Sequence, residues 1–246
     1  MEKISVVIIA KNEEKNISRC LESVAWADEI ILLDNGSTDK TIEIAQKFGC
    51  KIYDGGEWHG FGIAKRRAVN YANFDWILSL DADEVVSGQL AEDIKLILIN
   101  PTFNNFKIKR KSFYLSKLIK YSGWQRDYPL RLFNKNFAGF NEKKVHESVI
   151  TTYPVGKIES QIFHYTYDDL NSHFQKMILY SDLSVEENKG KKVSKIGIIF
   201  RGFWKFINTY FLDKGILDSR QGFILSVMSS IGVMIKYLKI YENESE

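Results

Sequence analysis

The first hundred residues alternate between short apolar runs and segments with helical spacing. The β-branched run Ile4–Ile9 has the pattern of a parallel strand covered on both faces. Similar strand patterns occupy Glu29–Leu33, Lys51–Tyr53 and the run that begins at Trp76. Helical patterns separate these strands, at 12–25, 41–48 and 63–71. This order predicts βαβ units and an α/β fold with a mostly parallel sheet flanked by helices.

The regular alternation fades beyond residue 100. Phe106–Phe113 alternates like an edge strand, and Leu130–Phe133 and Ile158–Tyr165 also have strand patterns. After Asp169 the chain becomes helical and basic, and a run rich in aromatic residues follows. We therefore expect a boundary near residue 170.

Three polar clusters stand at the carboxyl ends of predicted strands. They are Lys11-Asn12-Glu13, Asp34–Asp39 and Asp81–Glu84. In open α/β sheets, ligands bind in the crevice outside these strand ends. One crevice could therefore hold all three clusters.

The cluster Asp81-Ala82-Asp83-Glu84 ends a buried strand with three carboxylates. Carboxylates so close repel one another unless a cation or hydrogen-bond donors compensate. Hard oxygen ligands suit Mg²⁺ or Mn²⁺, and such ions commonly bridge to nucleotide phosphates. The alternative is a solvated turn whose acids favour the dipole of the following helix.

Composition narrows the class of protein. Apolar residues make up 45% of the 246 residues and charged residues 26%, which is typical of a globular chain. The net charge of +3 is too small to indicate a nucleic-acid partner.

The cysteines and the chain's apolar segments bear on the cellular compartment. Cys20 and Cys50 predict two buried thiols in a reducing compartment. Met1–Ser5 lacks signal-peptide features, and the longest apolar stretch, Gly222–Ile235, is short for a membrane span. We expect a cytoplasmic protein.

Taken in order, the motifs resemble those of family 2 glycosyltransferases. The resemblance narrows toward the lipopolysaccharide core biosynthesis β-glucosyltransferase-like subgroup, and it covers nearly the whole chain. Its motifs are Lys11-Asn12-Glu13-Glu14, Asp34–Asp39, Gly60-Phe61-Gly62, Leu80-Asp81-Ala82-Asp83, Arg131-Leu132-Phe133, Val145-His146-Glu147, His164-Tyr165-Thr166-Tyr167 and Gly215–Phe223.

The resemblance implies a GT-A fold and an inverting transfer of a hexose from a nucleotide donor to a hydroxyl. The implied donor is a UDP-sugar, with UDP-glucose favoured, and the implied acceptor is a lipopolysaccharide-core or other cell-surface glycan. Residues 1–169 would form the catalytic domain, with a nucleotide-sugar half at 1–100 and an acceptor half at 101–169. Residues 170–246 would form a helical, basic-aromatic extension.

The resemblance assigns a nucleotide-sugar role to residues in both halves. Asp34 would accept a hydrogen bond from uracil or ribose, although an Asx turn is the alternative. Lys65 would meet the diphosphate, and Trp124 lies in a loop expected over the donor sugar, unless it is ordinary core. The remaining assigned residues are Ala10, Asn12, Glu13 and Asp81, which would line the base and ribose pocket.

For the divalent cofactor, Mg²⁺ or Mn²⁺, the resemblance implies that Asp83 coordinates the metal directly. It also implies that His164 approaches the metal or the diphosphate. A histidine in an aromatic strand could instead be a satisfied core residue. Asp81 would contact the ribose or a metal-bound water.

For the base, the resemblance points to Glu147, with Asp127 as the second candidate. The alternative for Glu147 is a surface ion pair with a neighbouring lysine. His146 stands where most relatives carry Glu, and imidazole also suits base catalysis near neutral pH. We assign His146 to the acceptor, together with Arg131, whose planar fork would bind a phosphate or else form a structural salt bridge.

The segment from Lys189 to Phe211 joins basic residues to aromatic residues at roughly helical spacing. This pattern suits a helix on an anionic membrane surface, so we expect peripheral association with the inner face of the cytoplasmic membrane. The alternative is a helix packed on the catalytic domain. Two rival functions remain open at this point: a nucleotidyltransferase, and a non-catalytic membrane-associated adaptor with the same fold.

Overall fold

A computed structural model describes residues 1–142, 147–187 and 192–243. The chain forms two compact units. The first comprises Met1–Arg110 and Asp127–His164, and the second comprises Lys111–Arg126 and Tyr165–Glu246.

Short strands and helices alternate through the first part of the chain. The strands are β1 (Ile4–Ala10), β2 (Glu29–Asp34), β3 (Lys51–Asp54), β4 (Trp76–Asp81), β5 (Glu84–Val86), β6 (Asn105–Tyr114), β7 (Lys117–Leu118), β8 (Leu130–Asn134), β9 (Gly139–Phe140), β10 (Val149–Ile150) and β11 (Gly156–Tyr167). The α-helices are α1 (Ile17–Ser23), α2 (Thr41–Lys47), α3 (Phe61–Asn70), α4 (Gly88–Ile97), α5 (Leu170–Glu187), α6 (Lys195–Ile207) and α7 (Ser219–Glu242).

The main sheet has the order β3-β2-β1-β4-β8-β6-β11-β5. Strands β3, β2, β1 and β4 are parallel, whereas β8 runs antiparallel to both β4 and β6, and β5 runs antiparallel to β11. The α/β class is therefore confirmed, with a sheet that is mixed and parallel only in its first half. The carboxyl ends of β1, β2 and β4 lie side by side, since Ala10 pairs with Asp34 and Ile9 with Asp81.

Both faces of the parallel strands are covered. Every residue of β1 is buried. Val6 and Ile8 belong to one apolar core with α1, while Val7 and Ile9 belong to the other core with α3. This two-sided burial is the reason the strand is a continuous β-branched run.

Some helices and strands in the structure differ from those predicted from the sequence. The first helix begins at Ile17 and not at Asn12, because Asn12 has a left-handed backbone with φ of 57°. The short strand β5 was not predicted. Cys20 is buried and Cys50 half-buried, and both are free thiols.

The second unit is built around three helices. Helix α6 packs on α7, where the Ser230 hydroxyl donates a hydrogen bond of 2.7 Å to the Gly202 carbonyl. A Cβ at Gly202 would lie 2.3 Å from the Met234 side chain, so glycine permits this close approach. Helix α7 is longer than the predicted apolar stretch. In the described residues, Gly215–Glu242 is long and apolar enough to span a membrane by length and composition alone. An 18-residue window within it has a mean hydropathy of 1.6, and 22% of that window is buried.

Candidate active site

Asp34 ends β2 and divides its two carboxylate oxygens between two environments. Oδ2 accepts the backbone N–H groups of Gly36 and Ser37 at 3.0 and 2.9 Å, which is an Asx turn. Oδ1 is buried and has no hydrogen-bond partner within the part of the chain that the structure describes. A buried acceptor without a partner is costly, and a ligand N–H or O–H would satisfy it. The turn and the ligand contact are therefore compatible.

The loop after β3 comes close to the backbone at the end of β2. The Gly55 N–H donates to the Asp34 carbonyl at 2.7 Å. A Cβ at Gly55 would lie 2.9 Å from the Asp34 backbone carbonyl oxygen, closer than ordinary contact, so glycine favours this approach.

Ala10 and Asn12 are joined to the loop that follows β2. The Ala10 carbonyl accepts the Asn35 N–H at 2.9 Å. The Asn12 side-chain oxygen accepts the Thr38 N–H at 2.7 Å, and the Asn12 N–H donates to Ser37 Oγ at 2.9 Å. The Asn12 side chain thus shapes the crevice by holding the loop.

Glu13 lies next to this contact, at the entrance to α1. Its N–H donates to Thr41 Oγ1 at 2.8 Å, and its carboxylate accepts Asn16 Nδ2 at 2.8 Å. Asp39 accepts the Thr41 N–H at 3.0 Å and so stabilises the start of α2. These polar groups hold the first two strand ends together.

Lys65 joins residues from the two predicted halves of the catalytic domain. Its ammonium lies 2.8 Å from Asp81 Oδ1 and 2.6 Å from Glu147 Oε1. The side chain comes from α3 and is buried, with a relative exposure of 4%. The end of β4 and the segment before β10 therefore meet at one cation.

Arg131 continues these ion pairs from β8. Its Nη2 lies 2.5 Å from Asp81 Oδ2 and 2.7 Å from Glu84 Oε1. Arg110 on β6 then links Glu84 to Asp127, at 2.9 and 2.7 Å. The result is a continuous chain of alternating charges, hereafter the ion-pair chain, in the order Glu147, Lys65, Asp81, Arg131, Glu84, Arg110 and Asp127.

These pairs fix the ionisation of their buried members. Burial opposes ionisation of Asp81, but the charges of Arg131 and Lys65 outweigh it and hold the pKa of Asp81 well below its usual value. Burial likewise opposes the charge of Arg131, and the carboxylates of Asp81 and Glu84 outweigh it and raise the pKa of Arg131. Arg131 is 5% exposed and its Nη2 is committed to two carboxylates, which favours the salt-bridge interpretation over phosphate binding.

Asp83 and His164 are adjacent at the end of β4. Asp83 Oδ2 lies 3.4 Å from His164 Nε2, and the pairing of β5 with β11 sets His164 opposite Glu84. No group of three or more His, Cys, Asp or Glu side chains is placed to hold a metal ion among the residues described. Mg²⁺ and Mn²⁺ often take one or two protein ligands and complete their shell with phosphate oxygens and water. The pair fits an ion shared with a diphosphate.

Two predicted site residues are not among the contacts described above. Trp124 belongs to the second unit, where its ring meets Tyr114 edge-on with centroids 6.0 Å apart. His146 lies outside the described residues.

Sequence reasoning included Glu84 in the acid cluster but gave it no role of its own, and it missed Arg110. Glu84 is fully buried, and its Oε2 accepts the Asp81 N–H at 3.0 Å, so it folds back and fixes the turn after β4. The available signal for Arg110 was its position in β6. The lysines at 107, 109 and 111 alternate on one side of that strand, which sets Arg110 on the other.

Comparison with known proteins shows which protein family the chain belongs to. The glycosyl transferase family 2 profile matches residues 5–151, more than half of the chain. The chain belongs to this family and is a glycosyltransferase. Family membership decides against the nucleotidyltransferase alternative and favours an enzyme over an adaptor.

Two relatives match along almost the whole chain. An uncharacterised glycosyltransferase of Rickettsia typhi is 31% identical, over 98% of this chain and 88% of the relative. The lipopolysaccharide core biosynthesis glycosyltransferase LpsC of Rhizobium meliloti is 24% identical, over 98% of this chain and 93% of the relative. The family thus includes relatives in lipopolysaccharide synthesis.

Solved structures confirm the GT-A fold. S. aureus TarS 1–349, crystallised with UDP-GlcNAc, superposes with a TM-score of 0.55 at 14% identity, covering 99% of this chain and 91% of that one. The glucosyl-3-phosphoglycerate synthase of Mycobacterium tuberculosis gives 0.51 at 16% identity, covering 74% and 78%. That protein was crystallised with Mn²⁺, UDP and glucosyl-3-phosphoglycerate.

Proposed function

We propose that this glycosyltransferase moves a hexose from a UDP-sugar to a hydroxyl of a lipopolysaccharide-core or other cell-surface glycan, with inversion at the anomeric carbon. UDP-glucose is the proposed donor. The observation that carries the proposal is the contact of Lys65 with both Asp81 and Glu147. It joins the acid cluster proposed for the donor to the carboxylate proposed for the acceptor.

The donor would occupy the crevice at the carboxyl ends of β1, β2 and β4. Asp34 Oδ1 supplies an acceptor for the uracil N–H or a ribose hydroxyl, and the Ala10 strand end, Asn12 and Glu13 form the adjoining wall. Asp81, held by two cations, remains ionised and can accept a ribose hydroxyl. The names of the structural neighbours, which were crystallised with UDP or UDP-GlcNAc, support this class of donor.

Asp83 and His164 would hold the divalent cofactor. When bound, Mg²⁺ or Mn²⁺ neutralises the charge that develops on the leaving diphosphate. The mycobacterial neighbour crystallised with Mn²⁺ supports this assignment.

Glu147 would take the proton of the acceptor hydroxyl. The acceptor oxygen forms a bond to the anomeric carbon as the bond from that carbon to the diphosphate oxygen breaks, and UDP leaves. In the present structure Lys65 pairs with Glu147, and a diphosphate would offer Lys65 a second anionic partner. Asp127 remains the second candidate base, and it lies at the opposite end of the ion-pair chain.

The variants Glu147→Gln and Asp127→Asn separate these two bases. A UDP-hexose panel and a lipopolysaccharide-core oligosaccharide are the substrates, and product formation is the measurement. We expect Glu147→Gln to lower kcat about 10²- to 10⁴-fold with UDP affinity retained, since a positioned base contributes about that much. We expect Asp127→Asn to have a smaller effect, and the reverse order would assign the base to Asp127. The absence of any sugar transfer by the wild type would contradict the proposed function.

The remaining assignments concern the sugar and the acceptor. Trp124 would lie over the donor sugar, and His146 would contact the acceptor. For Arg131 we propose an indirect contribution to acceptor binding, because its guanidinium is buried between Asp81 and Glu84.

We also propose that the protein sits at the inner face of the cytoplasmic membrane, where it would meet a lipid-linked acceptor. One face of α6 carries large apolar side chains that are all more than half exposed. They are Ile196, Ile199, Phe200, Phe203 and Trp204. Such a stripe in water is unfavourable and is typical of an interaction surface.

Basic residues accompany this stripe. They are Lys192, Lys195, Arg201, Lys205, Lys214 and Arg220, whereas the same segment contains two acids, Asp213 and Asp218, of which Asp218 is buried. Cationic and aromatic residues together suit an anionic lipid surface. Lys189 and Lys191, which the sequence analysis included in this segment, lie outside the described residues.

Vesicle flotation tests this location. We expect the wild type to float with vesicles that contain phosphatidylglycerol and not with phosphatidylcholine alone, and Phe203→Ser to weaken that binding. Leu96→Ser is the matched control, because Leu96 is 66% exposed on α4 in the other unit. Equal flotation of Phe203→Ser and the wild type would contradict the proposed surface.

A further inference from the structure

The turn between β4 and β5 carries Asp83, and the side chain of the next residue closes this turn. Glu84 has no exposed surface. Its Oε2 accepts the Asp81 N–H at 3.0 Å. Asp83 therefore lies between two residues that are joined by a direct hydrogen bond.

The other carboxylate oxygen of Glu84 attaches the turn to the sheet. Glu84 Oε1 accepts hydrogen bonds from Arg131 Nη2 at 2.7 Å and from Arg110 Nη1 at 2.9 Å. These arginines come from β8 and β6, which are neighbouring strands. Arg131 Nη2 also donates to Asp81 Oδ2 at 2.5 Å. Both ends of the turn are thus fixed to the same pair of strands.

The backbone of Glu84 lies beside the second residue proposed for the metal. In the pairing of β5 with β11, Glu84 is opposite His164. The preceding residue, Asp83, is 8% exposed, and its Oδ2 lies 3.4 Å from His164 Nε2. The placement of Glu84 therefore bears on both Asp83 and His164.

The cost of burying these charges suggests a role beyond stability. Desolvation offsets most of the attraction within a buried ion pair, so stability alone is a weak reason to bury a carboxylate with two guanidinium groups. A metal ligand, in contrast, must be held in a narrow geometry, and the groups that hydrogen-bond around it supply that restraint.

We infer that Glu84 is a positioning residue for the divalent cofactor, which holds the turn at 81–84 so that Asp83 faces His164. Glu84 itself does not coordinate the metal, because both of its oxygens are engaged by protein donors and the side chain is fully buried. The inference rests on the proposed function, in which Asp83 and His164 hold Mg²⁺ or Mn²⁺.

Glu84→Gln removes the restraint with little change in side-chain size. One oxygen becomes an NH₂ group, which faces either the Asp81 N–H or the two guanidinium groups and cannot accept their hydrogen bonds. Loss of a group that orients a metal ligand typically lowers metal affinity about 10- to 100-fold.

The charge of Glu84 could also act on a cation without holding the turn, and Arg110→Met separates the two effects. This variant removes a positive charge, which by electrostatics alone would strengthen the binding of Mn²⁺. It also removes one hydrogen bond to Glu84, which loosens the turn and would weaken the binding of Mn²⁺. The direction of the change therefore distinguishes positioning from charge.

Calorimetric titration of UDP, without metal and at one fixed Mn²⁺ concentration, measures the effect. We expect the strengthening of UDP binding by Mn²⁺ to fall about tenfold in Glu84→Gln and about threefold in Arg110→Met. Metal-free UDP affinity should change little, because Asp34 and the side-chain contacts of Asp81 remain. Glu29→Gln is the matched control, since Glu29 is also buried and accepts several hydrogen bonds, and it should keep the full strengthening.

Hydrogen–deuterium exchange measures the restraint independently of any ligand. In Glu84→Gln we expect faster exchange in peptides covering 81–86, where the Asp81 amide loses its acceptor, and unchanged exchange in β2. Arg110→Met should show the same change to a smaller extent. If Glu84→Gln folds poorly, Arg110→Met alone decides the question, because positioning and charge predict opposite changes in the effect of Mn²⁺.

Three results would overturn the inference. They are unchanged exchange at 81–86 in Glu84→Gln, an undiminished effect of Mn²⁺ in that variant, and a larger effect of Mn²⁺ in Arg110→Met. An equal loss of metal-free UDP affinity would also contradict it, because that loss indicates general damage to the site. A wild type whose UDP binding does not respond to Mn²⁺ would instead overturn the proposed metal site, so the two failures are distinguishable.

Discussion

Charged groups are buried at both ends of the parallel strands, at their amino ends (hereafter the amino edge) and at their carboxyl ends (the carboxyl edge). The two groups of charges differ in how they are paired. At the amino edge, Glu29 is 6% exposed and accepts hydrogen bonds from Ser5 Oγ at 2.5 Å, Lys51 Nζ at 2.7 Å and Asn73 through its backbone and side chain at 2.9 and 2.5 Å. At the carboxyl edge, the ion-pair chain ends in two partly exposed carboxylates, and one buried oxygen of Asp34 has no hydrogen-bond partner in the part of the chain that the structure describes.

The difference lies in whether the polar groups satisfy one another. Around Glu29 every hydrogen bond closes within the protein, so the cluster can stabilise the strands but offers a ligand nothing. Asp34 instead buries a carboxylate oxygen that has no hydrogen-bond partner among the described residues, which is unfavourable in the absence of a ligand. An unsatisfied polar site on a well-packed sheet is therefore better evidence of function than buried charge alone.

Replacing one cationic side chain at each edge should give the largest difference in the free energy of unfolding. Arg131→Met leaves Asp81 and Glu84 buried with one fewer cation, so we expect it to lower the free energy of unfolding by about 3–5 kcal/mol. Lys51→Met should cost about 1 kcal/mol, because Lys51 is half-exposed and Glu29 keeps its other donors. Urea denaturation at pH 7 measures both. Equal losses would mean that the two clusters do not differ in this way.

Glu29→Gln should affect stability without affecting the donor site. We expect a loss of about 1–3 kcal/mol in the free energy of unfolding, with UDP affinity within twofold of the wild type. Burial raises the pKa of Glu29, but Lys51 and Ser5 outweigh it, so the folded-state pKa is lowered from 4.5. The contribution of Glu29 is therefore present above pH 4.5 and lost as the pH falls below it.

Denaturation of the wild type and Glu29→Gln as a function of pH checks this sign. The difference in stability between the two proteins should shrink as the pH falls below about 4.5. A difference that grows in acid would contradict the assignment, as would a large loss of UDP affinity at neutral pH.

Asp34→Asn should weaken UDP binding and leave stability nearly unchanged, which is the opposite of the result expected for Glu29→Gln. Its amide oxygen can preserve the Asx turn, while its NH₂ group faces the ligand. We expect UDP affinity to fall about tenfold, which is about 1.4 kcal/mol, and the free energy of unfolding to change by less than about 0.5 kcal/mol. Calorimetric titration of UDP and urea denaturation measure the two quantities. Destabilisation without a loss of affinity would make Asp34 a purely structural residue.

The parallel half of the fold could be predicted because its signals are local. Each of its strands is a short apolar run, and each crossover helix has its own apolar face. The late start of α1 was missed because the left-handed Asn12 is set by its contacts with Ser37 and Thr38, which lie 25 and 26 residues away. The short strand β5 exists through its pairing with β11, which no local pattern contains.

The site was predicted in part, for the same reason. Asp34, Asp81 and Asp83 follow recognisable strands, so their shared edge could be inferred from topology. Arg110 and the ion pairs of Glu84 were not predicted, because these contacts run across the sheet between residues far apart in sequence.

The most direct test of the donor site is calorimetric titration of UDP, with and without Mn²⁺, into the wild type, Asp83→Ala and the matched control Glu29→Gln. We predict that Mn²⁺ strengthens UDP binding to the wild type and to Glu29→Gln, and that Asp83→Ala abolishes this strengthening. Binding that is the same with and without Mn²⁺, or that Asp83→Ala leaves intact, would contradict the metal-dependent donor site at the carboxyl edge of the sheet.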